Sequence, residues 1–195
     1  MSKTTTKDIL ISTGLKLMLT KGYGGMGLQE IVKDAGVPKG SFYHFFPSKE
    51  AFGLAVLEAH VAEFEAFIKR FLLDTKTSPL ERLRNFFHAG RQQMAAAQCE
   101  GGCLVGNLVQ ELADQDATFR QRLEEIMAGW ERHIESCLVQ AQQERTLDES
   151  VAASELARFI LDSWEGAILR MKVTKDIAPV DGFIHILFEK VLKHP

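Results

Sequence analysis

With 195 residues, 46% of them hydrophobic, the chain can bury the core of one or two domains. Charges interrupt every apolar run well before the roughly 18 residues of a membrane span, and three cysteines do not make a disulfide framework. The net charge of −3 is unevenly spread: residues 1–50 hold seven lysines against Asp8, Glu30, Asp34 and Glu50. A polyanion would therefore meet the N-terminal part.

Apolar residues recur at three and four almost throughout, which predicts an all-α chain. Lys16 splits the apolar stretch ILISTGLKLML and no small-residue cleavage site follows, so the expectation is a cytoplasmic chain without a signal peptide. The first helix is expected over 6–20, with Leu10, Gly14, Leu17 and Met18 on one side, and the glycines of KGYGG end it. Leu28, Ile31, Val32 and Ala35 mark a short second helix, stopped by Gly36-Val37-Pro38. A third starts at once near Lys39, giving two short helices across a glycine-containing turn, the geometry of a helix-turn-helix. Pro47 closes it, and Ser48 is placed to cap a fourth helix over 49–73.

Further on, Ser78-Pro79-Leu80-Glu81 has the form of a capping box and opens a fifth helix reaching about Ala97. The CEGGC stretch of residues 99–103 then leads into a sixth helix through Ala113. Asp116 is expected to cap a long seventh helix to about Gln142, and Asp148 an eighth to about Lys172. Pro179 opens a short ninth. About nine helices result.

The stretch GVPKGSFYHFFPSKEAF, residues 36–52, sets Phe42, Tyr43, Phe45 and Phe46 beside Lys39 and His44. On a helix, Phe42 and Phe46 share a face and can pack inward, leaving Lys39, Ser41, Tyr43 and His44 to project elsewhere. A recognition helix of this kind enters a major groove, and its lysines and hydroxyls hold phosphates. Lys49 lies in the first turn of the next helix, where the macrodipole disfavours a cation and a phosphate would relieve it.

Together with KGY at residues 21–23 and LQEIVKDA at 28–35, this stretch resembles the DNA-binding domain of the TetR family of bacterial transcriptional regulators. The motif spans roughly residues 8–52, about a quarter of the chain. It is most specific at Lys39-Gly40, Tyr43-His44 and Pro47-Ser48-Lys49. One departure is Gly27, where the family usually has Ser or Thr. The resemblance implies a helix-turn-helix domain over 1–48, an effector-binding and dimerisation domain over 49–195, and DNA contacts at Gln29, Lys39, Gly40, Ser41, Tyr43, His44 and Lys49. It also implies a homodimer that binds a palindromic double-stranded operator and leaves it when a small-molecule or reactive effector occupies the C-terminal domain. No enzymatic activity, cofactor, metal or membrane contact is implied.

On that reading the dimer surface comes from the last two helices, with Leu156, Phe159, Ile160, Ser163 and Ala167 on one stripe, extended to Met171, and Phe183 and Leu187 on the final helix. Helices five to eight would enclose the effector, with His88, Gln92, Asn107, Gln110, Trp130 and Trp164 as candidates to face it. Cys99 and Cys103 lie four apart, which is neither a redox nor a zinc spacing. The segment GCLVGNLVQELA resembles a branch of TetR-like regulators with a cysteine at the start of the sixth helix, some of which respond to electrophiles or oxidants. A thiolate there is favoured by backbone N–H groups, and Lys172, on one face of helix eight with Trp164 and Ile168, can favour it further. Cys103 is thus a candidate sensor and Cys99 its resolving partner, while Cys137, between Ile134 and Leu138, reads as core. Two other classes compete with the repressor reading. An all-helical thiol peroxidase using Cys99 and Cys103 would leave the basic helix-turn-helix unexplained. A helical adaptor that binds no DNA would lack the steep salt dependence of phosphate contacts.

Overall fold

The computed structural model describes residues 5–192, and every regular element among them is helical. In chain order these are α1 (Thr6–Gly25), α2 (Leu28–Asp34), α3 (Lys39–Phe45), α4 (Lys49–Leu72), α5 (Pro79–Ala96), α6 (Leu104–Leu112), α7 (Ala117–Gln143), α8 (Ala153–Thr174) and α9 (Ala178–Ile186), with a terminal π-helical turn at Leu187–Val191. None of these helices is long and apolar enough to cross a membrane. The chain divides into two compact units. One holds the residues up to Phe64 together with Leu104–Leu123, and the other holds Glu65–Cys103 and the residues from Glu124 onward.

In the first unit, α1 opens on a capping box. The Thr5 hydroxyl accepts from the Asp8 N–H at 3.2 Å, and the Asp8 carboxylate accepts from the Thr5 N–H at 2.9 Å. Leu10, Gly14, Leu17 and Met18 are buried along one side, as their spacing requires. α2 and α3 are joined through Gly36, whose φ of 65° lies in the left-handed region that favours glycine. Phe42, Phe46 and Phe52 are 1%, 3% and 0% exposed and form a triangle with ring centroids 5.0–5.6 Å apart. Burying each such ring stabilises by about 1.5–3 kcal/mol, so this triangle is what fixes α3 onto α4. The Ser48 hydroxyl accepts from the Ala51 N–H at 3.0 Å and caps α4. Asp116 likewise accepts from the N–H groups of Thr118 and Phe119, at 2.9 and 3.0 Å, at the head of α7.

The second unit is built on an aromatic core. Trp164 of α8 stands 5.0 Å from Phe87 of α5 and 5.4 Å from Phe183 of α9, centroid to centroid. Arg82 is 5% exposed and donates to the Leu72 carbonyl at 3.1 Å and to Gln140 Oε1 at 2.7 Å, tying the end of α4 to α7. The Cys137 thiol donates to the same carbonyl at 3.5 Å, and burial pushes its pKa up, so this cysteine belongs to the core. An Arg91–Asp181 fork, at 2.8 and 3.0 Å, joins α5 to α9.

Two expected caps are not formed. Ser78 precedes α5, but its hydroxyl makes no cap bond, and Pro79 stands at the first helical position. Asp148 instead accepts from the Ser150 N–H at 2.6 Å in the preceding turn, and α8 begins only at Ala153.

Candidate nucleic-acid interface and thiol site

In the first unit the buried phenylalanines decide which side chains of α3 face out. Lys39, Gly40, Tyr43 and His44 are exposed, Ser41 is half-buried, and Gln29 of α2 is exposed. Tyr43 leaves 53% of its surface uncovered although its ring also meets the edge of Phe42, centroids 5.6 Å apart. Lys49 is half-buried, with Nζ 4.6 Å from the centroid of Tyr23 and 3.4 Å from the Gly24 carbonyl oxygen. Six of the expected contacts thus lie on α2 and α3, and Lys49 lies at the start of α4. The N-terminus of α2 starts at Gly27 with no side-chain cap, and an ion pair of Lys21 with Glu30 braces α1 against α2.

Sequence reasoning passed over Glu111. Its carboxylate accepts from the N–H of Tyr23 at 2.8 Å and from that of Gly24 at 2.5 Å, 88 and 87 residues away in the chain. Only the fold brings these groups together.

In the second unit the CEGGC stretch follows α5 in an unusual backbone conformation. Gln98 and Cys99 both have positive φ, 54° and 58°, at a cost of order 1–3 kcal/mol each. Cys99 is buried. Cys103 is half-buried and its thiol donates to the carboxylate of Glu165 on α8. Burial pushes the Glu165 carboxyl above the usual range, and the thiol hydrogen bond draws it partly back. A Cβ at Gly102 would stand 2.8 Å from Lys172 Cδ and 3.4 Å from Ile168 Cγ2, so the Lys172 stem crosses directly over the residue before Cys103. Glu165, Ile168 and Lys172 are spaced three and four apart, one stripe of α8 laid against the loop. All three cysteines are thiols.

The remaining expected effector residues do not gather here. His88, Gln92 and Gln110 are exposed rather than turned inward, and the Gln110 amide donates to the Gly106 carbonyl of its own helix at 3.2 Å. Trp164 is part of the aromatic core, and Trp130 is buried at 4% exposure. Asn107 is half-buried on α6, in the first unit. A periodic pattern ranks faces by polarity, but it does not say which face a neighbour covers.

Phe159 and Ser163 of α8, Phe183 and Ile186 of α9, and Val191 of the terminal π-helical turn line an apolar groove of about 320 Å³. Phe159, Leu169, Val173 and Ile186 are 53%, 47%, 74% and 51% exposed. Ile160 and Met171 depart from the expected dimer stripe. Both are fully buried within their own chain and therefore belong to its core. Leu187 is 2% exposed and lies in the wall of the groove. Leu156 and Ala167 are half-buried.

Comparison with known proteins covers both regions. Residues 10–56 match the family described as bacterial regulatory proteins, tetR family, and residues 79–187 match the tetracyclin repressor-like C-terminal domain. The chain is 35% identical over 192 residues to the HTH-type transcriptional repressor DhaR of Mycobacterium sp. (strain GP1), covering 98% of this chain and 95% of that protein. Among solved structures, regulatory protein TetR from Rhodobacter sphaeroides superposes with a TM-score of 0.85 at 39% identity, over 90% of this chain and 93% of that one. The reduced form of NemR from Escherichia coli gives 0.86 at 30% identity, over 97% and 98%.

Proposed function

Since the chain belongs to the TetR family of bacterial regulatory proteins, we propose that it is a DNA-binding transcriptional repressor released from its operator by a small reactive signal. The observation that carries this reading is the division of α3, with Phe42 and Phe46 buried beneath and Lys39, Tyr43 and His44 exposed above. A helix of seven residues reads few base pairs. Two copies related by a two-fold axis would read a palindrome with half-sites one helical turn apart. The exposed apolar groove of α8 and α9 is the surface on which two copies join. Regulators of this family are not normally enzymes, and the thiols serve here as a signal input.

For the signal, Cys103 is the reacting atom. Its thiol loses a proton, the sulfur adds to the β-carbon of an electron-poor alkene, and the α-carbon takes up a proton. One C–S bond forms, one C=C π bond is lost, and no oxidant is consumed. DhaR is named a repressor, and the NemR structure is described as a reduced form. The first name supports the repressor reading, and the second belongs to a relative whose structure is distinguished by its reduced state.

The test is a footprint of the reduced protein on the DNA flanking its own gene, repeated after brief exposure to a thiol-reactive electrophile and with Cys103→Ser. Protection of a palindrome that disappears on treatment and persists in the Cys103→Ser variant is the expected result. Protection that ignores the electrophile removes the thiol switch and leaves the repressor. Absence of protection both there and in a genome-wide selection removes the repressor.

A further inference from the structure

The DNA-binding head ends its first helix on a carboxylate lent by α6. At Gly22, with φ 77° and ψ 170°, α1 leaves the helical path, and the next two N–H groups turn onto Glu111. Tyr23 donates to Oε2 and Gly24 to Oε1. Two glycines leave the space for this approach, since a Cβ at Gly22 would stand 2.8 Å from Oε2 and one at Gly24 2.9 Å from Oε1. Hydrogen bonds to an ionised acceptor are about twice as strong as neutral ones, and here each oxygen takes one N–H, so the turn is held in one orientation.

Both groups that seat Lys49 lie in this turn. Its ammonium sits over the Tyr23 ring and within 3.4 Å of the Gly24 carbonyl. Tyr23 is braced further by Phe119, 5.2 Å away between centroids. A lysine in the first turn of α4 would otherwise swing freely on its four-carbon stem. The clamp therefore fixes, from a residue 88 positions beyond Tyr23, where that charge stands.

We propose that Glu111 is a positioning residue for DNA binding: by clamping the Tyr23–Gly24 turn it sets Lys49 against a backbone phosphate. The proposal rests on the DNA-binding reading given above. Glu111 itself touches no DNA.

The experiment measures operator affinity against salt for the full chain on a duplex that the wild-type protein selects from a random-sequence library. Lys49→Met should flatten the slope of log K against log salt by about one phosphate contact, roughly 0.9. Glu111→Gln keeps the volume but presents an NH₂ to one of the two N–H groups, so it should flatten the slope equally and weaken binding about tenfold at fixed salt. Gly24→Ala attacks the clamp from the other side and should do the same, which keeps the test open if Glu111→Gln folds poorly. In the double variant Glu111→Gln/Lys49→Met the two effects should not add. An unchanged slope in Glu111→Gln and Gly24→Ala, or full additivity with Lys49→Met, overturns the role of Glu111. So does an unchanged slope in Lys49→Met. If the library yields no duplex at all, the DNA-binding reading falls and takes this proposal with it.

Discussion

The thiol of Cys103 donates a hydrogen bond to the carboxylate of Glu165. A carboxylate beside a sulfur disfavours the thiolate, because the two anions repel in a site where water screens them poorly. If Cys103 is the sensor proposed above, Glu165 restrains its reactivity. Removing its charge should speed attack. Glu165→Gln is expected to react with iodoacetamide, a neutral probe, about three- to tenfold faster at pH 7. Timed quenching with mass spectrometry of the Cys103 peptide checks it. A slower reaction would instead make Glu165 the base that takes the thiol proton.

The same carboxyl should leave a mark on stability. Its pKa in the fold is raised from the ordinary 4.5, first by burial. A raised carboxyl contributes stability that is fully present below the unfolded value and lost as pH rises through the folded one. Wild type should therefore lose stability relative to Glu165→Gln on going from pH 4 towards 7, the variant being the more stable at neutral pH. Urea unfolding of both chains across that range tests the sign. A constant difference would mean that Glu165 does not titrate between these pH values.

Dimer assembly makes a third prediction. Phe159 leaves 53% of its surface exposed at the rim of the α8–α9 groove, and Val173 leaves 74%. Phe159→Glu would bury a charge without a partner if two such faces met, a cost of several kcal/mol. It should turn a dimer into a monomer in sedimentation equilibrium while leaving the helical circular dichroism unchanged. A variant that stayed dimeric would move the interface elsewhere.

How much of this was legible beforehand depended on sequence range. The helix-turn-helix was readable because its determinants are neighbours: Gly36 for the turn, Phe42 and Phe46 four apart, Ser48 at the α4 cap. Asp116 was readable for the same reason. Asp148 misled because an aspartate before a helical run fits a turn as well as a cap, and here it holds Ser150. His88, Gln92 and Gln110 prove exposed, because polarity and period do not reveal which helix face is covered. Ile160 is the opposite case, an apolar residue buried within its own chain. Glu111 and Glu165 carried no local signal at all. Each acts on groups far away in sequence, and a glutamate on a helix ordinarily reads as solvated surface.

Gly14 tests the packing beneath the recognition helix. A Cβ there would come within 2.5 Å of Phe52 Cζ and 2.8 Å of Val56 Cγ2, both from fully buried side chains. Alanine in a helix interior gains up to about 1 kcal/mol of propensity over glycine. Overpacking against rings that cannot retreat costs about 1–3 kcal/mol, so the steric effect wins. Gly14→Ala should lower the unfolding free energy by about 1–2 kcal/mol in urea. A gain instead would mean that Phe52 has room to shift.

Gly40 makes the opposite case and separates function from stability. It lies in α3 and a Cβ there would meet nothing within 4 Å, so alanine brings the propensity gain with no clash. Gly40→Ala should therefore be more stable than wild type by about 0.5–1 kcal/mol, read from urea unfolding. The exposed glycine nevertheless stands between Lys39 and Ser41 on the side offered to DNA. If that side meets DNA, the missing side chain would let the backbone approach a phosphate closely. A methyl group at that point should weaken operator binding at least about tenfold, the loss of one charge-assisted contact. More stability with less affinity can arise only if the glycine is kept for contact and not for folding. Should Gly40→Ala bind as tightly as wild type, the first turn of α3 stands off the backbone, and Lys39 and Tyr43 carry the contact through their side chains alone.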